Sequence, residues 1–157
     1  VVQGHGGERF LPVETLCRGY YENSLAPDEI LTSIRLPTPA SRSGMAYLRY
    51  TTTTLEDRPF VCVSVGLALA EDGKTCVDAR IGVGAVSPSP VRASRVEEVL
   101  KGQEVSEELL REAAECVVDG VEPIDDVRGP ASYRLEMAKV FFRRSAEKAW
   151  ALARKKL

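Results

Sequence analysis

The chain has 157 residues, 44% of them hydrophobic and 28% charged, with a formal charge of −2. Those values fit one globular domain and exclude the disordered and fibrous classes, while the near-balance of charge supplies no field that would gather phosphate backbones or anionic lipid. No apolar run reaches the ~20 residues that a bilayer-spanning helix needs, and the first residues, VVQGHGGERF, lack the basic-then-apolar order of a signal peptide, so the expectation is a soluble, cytoplasmic protein.

Residues 1–18 are glycine-rich and then mixed, which reads as a linker. In LAPDEILTSIRLP, Pro27, Asp28 and Glu29 mark a turn, and the alternation from Ile30 to Leu36 predicts a strand that Pro37 stops. A polar loop follows, and MAYLRY predicts a second strand able to pair with the first as a hairpin. TTTTLEDRP, with its threonines, adjacent acids and proline, reads as an exposed loop. FVCVSVGLALA is apolar at almost every position, as in a well-covered strand, and EDGK supplies a hairpin turn at Asp72-Gly73. TCVDARIGVGAV pairs back antiparallel, with Gly82 and Gly84 marking a bulge or a close approach of another backbone or a ligand.

The period then changes from two to about 3.6 residues. A short helix runs from Ala93 to Leu100 and ends at Gly102. A second starts at the hydroxyl cap Ser106 and ends at Gly120. A third runs from about Ser132 to the C-terminus, with Met137, Val140, Phe141, Ala146, Ala149, Trp150 and Leu152 as its apolar stripe. Strands first and helices second predict an α+β two-layer sandwich.

Little self-contained chemistry is in view. Cys17, Cys62, Cys76 and Cys116 include no C-x-x-C pair, and His5 is the only histidine, so neither a zinc or iron–sulfur site nor a histidine-based triad can be assembled. Asp125 and Asp126 have no third ligand nearby; helix capping and an ion pair with Arg134 account for them better than a metal does.

Taken together, LAPDEILTSIRLP, YLRYTTTTLEDRPFVCVSVGLAL, ARIGVGAVSPSPVRASRVEEVLKG and VRGPASYRLEMAKVFFRRS resemble the C-terminal domain of the FAD-binding (medium) flavoprotein subunit of molybdenum hydroxylases, the family of carbon monoxide dehydrogenase and xanthine dehydrogenase. The resemblance covers about Gly19 to Ala149. It implies an antiparallel sheet of three or four strands packed against three helices, with residues 19–157 as this domain and 1–18 as the linker from an N-terminal FAD-binding domain.

By the same resemblance the subunit binds FAD, mainly through that other domain, and passes electrons from [2Fe-2S] clusters to an acceptor. The clusters sit on an iron–sulfur small subunit, and substrate is oxidised at a molybdenum cofactor on a large subunit. Arg49 matches a position where related proteins carry a lysine close to the flavin; on strand pattern alone it is an exposed arginine lying over the sheet. Glu56 and Asp57 match an acidic position near the flavin ring that influences acceptor access, although Thr53 and Thr54 stand where many members have arginines. The competing reading is a non-catalytic module that docks partner subunits and touches no cofactor.

Overall fold

A computed structural model describes residues 1–51 and 58–155, and divides the chain into two compact units, Val1–Pro39 and Ala40–Leu157. The first unit is built of short strands. β1 (Val2–Gly4) lies between β2 (Gly7–Arg9) and β5 (Ile30–Leu31), while β3 (Cys17–Gly19) pairs only with β4 (Glu22–Asn23). Residues 1–18, read from sequence as a linker, thus contribute paired strands to this unit.

The hairpin expected between Ile30–Leu36 and MAYLRY does not form. Only Ile30–Leu31 is a strand, and it pairs with β1, placing Leu31 opposite Val2 and Ile30 opposite Gln3. Alternation identifies a strand but not its partner, and Pro37 and Pro39 remove two donors from the stretch that would have had to join the longer ladder.

The second unit holds a four-stranded antiparallel sheet in the order β6 (Ser43–Tyr50), β7 (Val61–Leu69), β8 (Cys76–Gly84), β9 (Val91–Arg92). Three helices, α1 (Ser94–Leu100), α2 (Glu107–Glu115) and α3 (Ala131–Arg154), cover one face of it, α3 lying across β6 and β7 and α1 against β8. This is the α+β two-layer architecture expected from the sequence. Val61, Val63, Val65 and Leu67 of β7 and Ile81 and Val83 of β8 meet Val96, Leu100, Leu110, Ala113, Ala138 and Phe142 in the core.

Sequence signals set several boundaries. The extended Ser106 accepts the Leu109 amide on its Oγ at 3.1 Å and so caps α2. The α-helix stops at Glu115, and a 3-10 turn over Cys116–Val118 covers the rest of the distance to Gly120. The β7–β8 connection is wider than a two-residue turn: Ala70 N–H donates to the Thr75 carbonyl at 2.8 Å, and the Asp72 carboxylate accepts from the Lys74 amide, the Thr75 amide and the Thr75 hydroxyl.

Helix α3 buries the predicted stripe in part, Phe141, Ala146 and Ala149, and adds positions that the stripe left out. Ala138, Phe141, Phe142, Ser145, Ala146, Ala149 and Ala153 are buried with Arg134, whereas Leu152 is 42% exposed and Met137, Val140 and Trp150 are half-buried. The reason is close approach. Gly44 of β6 lies under the helix so tightly that a methyl group there would overlap the Ala149 carbonyl and stand 2.6 Å from the Ala153 nitrogen. Small residues line this contact because larger ones would hold helix and sheet apart.

β7 is central in the sheet and more deeply buried on one face than on the other, where only Ala68 is buried. Its odd-numbered residues enter the core, while Cys62, Ser64 and Gly66 are half-exposed on the other side. The well-covered strand expected from the sequence is the one observed, with small side chains at its less covered positions.

Candidate functional site

The outward face of the second unit's sheet can be assembled from register alone. Tyr47 lies opposite Ser64 and Arg49 opposite Cys62; across β7, Cys62 lies opposite Gly84, Ser64 opposite Gly82 and Gly66 opposite Arg80. Gly82 in turn faces Arg92 on β9. Side chains alternate across a strand, so Met45, Tyr47 and Arg49 stand in a row beside a strip of small residues, with Arg80 and Arg92 beyond.

That strip is flat. A methyl at Gly82 would come within 2.9 Å of Ser64 Oγ, and one at Gly84 within 2.8 Å of Cys62 Sγ, so the neighbouring strand's own side chains already occupy the space over the glycines. No bulge occurs at this point; the register shift lies between Ala68 and Leu69. Instead of the bulge or the close approach of a backbone or ligand expected at Gly82 and Gly84, the side chains of Ser64 and Cys62 lie against them.

The row on β6 is open to solvent. Met45 is 73% and Tyr47 57% exposed, and Arg49 is exposed as well. Partial burial pushes the Tyr47 phenol above its usual range, and a hydrogen bond with Cys62 adds to the effect, while the Arg49 charge opposes it. An aromatic ring, a guanidinium and a thiol thus share a small area of one sheet face. The structure places Arg49 there; Glu56 and Asp57 lie outside the described residues. Tyr47 was not singled out from sequence, although the period-two spacing Met45, Tyr47, Arg49 carried the signal.

The end of the sheet next to Arg49 is held by a buried arginine. Arg134, in the first turn of α3, is 3% exposed. Its Nη1 donates to the carbonyls of Phe60 at 2.7 Å and Ala85 at 3.1 Å, its Nη2 meets Asp126 Oδ2 at 2.6 Å, and its guanidinium lies 4.1 Å over the Phe60 ring. Ala85 has φ +66, a left-handed conformation costly for alanine, and the arginine bond anchors its carbonyl.

Burial pushes the Asp126 carboxyl up, but the Arg128 amide and the Arg134 and Arg128 guanidinium groups outweigh it and hold the carboxyl below its usual range. Asp125 Oδ1 accepts the Ala131 amide at 2.6 Å at the start of α3. The capping and ion-pair roles expected of these acids are the ones observed. Around them Tyr50, Phe60, Tyr133 and Phe141 pack edge-on or tilted, with centroid separations of 5.5–6.5 Å, and the Phe60 amide donates to the Tyr50 carbonyl at 2.7 Å. The two ends flanking residues 52–57 are thus tied together. The burial of Arg134 was also legible, since 134, 138, 141 and 145 fall on one helix face.

A cavity of about 420 Å³ near the β7–β8 turn is lined by Lys74, Glu104, Ser106, Glu107, Trp150 and Arg154, among others. Its charges are mixed, with Lys74 3.4 Å from Glu104. Among the described residues no cluster of histidine, cysteine or acids could hold a metal, and no helix is long and apolar enough to cross a membrane.

Residues 47–149 match the family described as the CO dehydrogenase flavoprotein C-terminal domain. The chain is 32% identical over 96% of its length to the carbon monoxide dehydrogenase medium chain of Afipia carboxidovorans, of which it covers 51%. In structure it is similar to a chain of the carbon monoxide dehydrogenase of Hydrogenophaga pseudoflava, with TM-score 0.90 and 29% identity over 96% of this chain and 52% of that one. It is also similar to a chain of quinoline 2-oxidoreductase from Pseudomonas putida 86, with TM-score 0.86 and 30% identity over 97% and 52%. The chain spans about half the length of these relatives. Sequence match and architecture agree: this chain belongs to the CO dehydrogenase flavoprotein C-terminal domain family, the C-terminal domain of the medium flavoprotein subunit of molybdenum hydroxylases.

Proposed function

We propose that the chain is the C-terminal part of the FAD subunit of a molybdenum hydroxylase, and that it helps to complete the flavin site through which electrons pass from iron–sulfur clusters to an acceptor. The observation that carries this reading is the open sheet face: one side of the sheet makes the core, and the other presents the exposed Arg49 and Tyr47 beside a flat strip of small residues. A planar ring fits such a surface without displacing side chains, and a cation at its edge suits a ring that gains negative charge. FAD, when bound, supplies a group that takes up and returns electrons. This chain's residues hold that group's surroundings: Arg49 favours negative charge near it, and Glu56 and Asp57 repel anionic acceptors.

The main FAD-binding elements belong, in this reading, to the half of the subunit that the chain does not match. An iron–sulfur small subunit and a molybdenum large subunit are the partners, and the complex works in the cytoplasm. In this reading the substrate is chosen on another subunit, in keeping with the similarity of the chain to parts of both a carbon monoxide dehydrogenase and a quinoline oxidoreductase.

Redox titration of the flavin in the full-length subunit tests the reading. Arg49→Met removes the cation, and the expected result is a lower reduction potential with unchanged FAD content. An unchanged potential would remove Arg49 from the flavin's surroundings and favour a module that only docks other subunits.

A further inference from the structure

The sheet of the second unit has two edges, and its own chain closes one of them. Beyond β8, the two residues of β9 cover Gly82 and Val83, Glu97 Oε1 accepts the Ile81 amide at 3.0 Å, and the Cys76 amide donates to the Gln103 carbonyl at 2.9 Å. The other edge is β6. It runs eight residues in unbroken register with β7, and among the described residues no strand pairs with its far side. The Leu69 amide donates to the Arg42 carbonyl, so even-numbered residues bond to β7 while the N–H and C=O groups of Met45 and Tyr47 point to the open edge. Proteins blunt such edges with short strands, bulges, prolines or charges. SGMAYLRY has no proline or bulge, and its one charge, Arg49, stands next to its end.

A row of cations follows this edge. Helix α3 runs antiparallel to β6: Ala149, Leu152 and Ala153 meet Gly44, while the Phe141 and Tyr133 rings lie 5.6 and 6.5 Å from that of Tyr50. Phe141 and Leu152 mark the flank of α3 turned to the edge, and Lys139, 2.7 Å from Glu115, marks the flank turned to α2. At about 100° per residue, Arg144, Lys148 and Lys155 fall on the edge flank. All three are exposed, and among the described residues none has an ion pair. The helix dipole accounts for Lys155 at the C-terminus but not for Arg144 and Lys148, which precede the last turn.

We propose that β6 is a docking edge, and that an extended acidic segment of a partner protein adds to it as an antiparallel strand. Two observations select this occupant. Arg144 and Lys148 stand about 6 Å apart along the helix axis and alternate residues of a strand about 6.8 Å apart, so acids at every second position reach both cations. On the opposite face the added strand lies beside Met45 and Tyr47, 73% and 57% exposed, which suits apolar residues at the positions between. The segment thus alternates acidic and apolar residues; its backbone supplies affinity and its side chains the choice of partner. The proposal uses nothing of the role given to Arg49.

The test is fluorescence anisotropy of a labelled eight-residue peptide alternating Glu and Val, titrated with the subunit at its relatives' full length. Saturable binding that weakens as salt rises is expected. In antiparallel pairing the valines exchange hydrogen bonds with Met45 and Tyr47, so a copy N-methylated at its valines is expected to bind about tenfold or more weakly. Arg144→Glu with Lys148→Glu is expected to weaken binding about tenfold or more as well, and to let a peptide alternating Lys and Val bind instead. Both positions are exposed, and circular dichroism checks that the fold is kept. Absence of binding would overturn the proposal, as would equal binding of the N-methylated copy or indifference to the charge reversal. So would binding by the 157-residue chain alone, which assigns the edge to the rest of the subunit. Pairing of two subunits that the peptide displaces would do the same, by assigning the edge to a second copy.

Discussion

Replacing Arg134 with Met is expected to cost the second unit about 3–5 kcal/mol, the range found when one member of a buried, hydrogen-bonded charge pair is removed. Met keeps the apolar stem over Phe60 but provides no donor. The Phe60 and Ala85 carbonyls, 2.7 and 3.1 Å from Nη1, both lose their charged partner. Charge-assisted bonds of this kind contribute about 1.5–3 kcal/mol each. Two effects limit the loss: Asp126 retains Arg128, whose Nη2 lies 3.0 Å from its Oδ2, and Arg134 Nε has no partner to lose. Arg134→Lys retains the charge but cannot span both carbonyls and Asp126, so it is expected to recover only part of the stability. Urea denaturation followed by the fluorescence of the chain's single tryptophan, Trp150, reads the effect. With a slope of about 1–3 kcal/mol per molar urea, the midpoint is expected to fall by at least about 1 M. A Met variant with the wild-type midpoint would refute the view that Arg134 holds this end of the sheet.

Gly44→Ala sets a methyl group against backbone of α3, which cannot rotate away as a side chain would; the expected loss is about 1–3 kcal/mol, read by thermal unfolding, and an unchanged Tm would show that helix and sheet separate easily. Asp72 supplies a pH test. Its hydrogen bond from the Thr75 hydroxyl, then those from the Lys74 and Thr75 amides, hold its pKa at about 2, below the ordinary 3.8. Because the folded-state value is the depressed one, its contribution is fully present above the ordinary value and lost as pH falls toward about 2. Asp72→Asn is therefore expected to flatten the acid side of the stability curve between those values. Parallel curves for the two proteins would remove the Asp72 turn as a source of acid sensitivity.

Much of the fold was legible because local signals agreed with one another. Ser106 before an apolar-periodic run marked a helix start, and the Asp72-Gly73 pair between alternating runs marked a hairpin. What failed was information that a single strand or helix does not carry. Ile30–Leu31 alternates as a strand whichever partner it takes, and the partner it does take, β1, lies almost thirty residues away in sequence. Leu152 looked like a core residue of α3 because hydrophobicity was weighed without size. At Gly44 the sheet meets the backbone of the helix and the Cβ of Leu152, so the rest of the leucine is left at the edge while Ala153 is inside.

The sheet's outward face shows why the candidate site was harder to read than the fold. A core announces itself through large apolar residues at a regular period, but a flat surface needs the opposite: side chains that stay out of the way. Cys62, Ser64, Gly66, Gly82 and Gly84 meet that need, and in sequence they look either like covered strand or like weakened packing. Only register turns them into a surface, by setting Cys62 between Arg49 and Gly84 and Ser64 between Tyr47 and Gly82. Arg49 could be nominated from resemblance because one side chain can be matched to one position. The strip beside it consists of small side chains and glycines, and these form one surface only when β7 and β8 are laid next to β6.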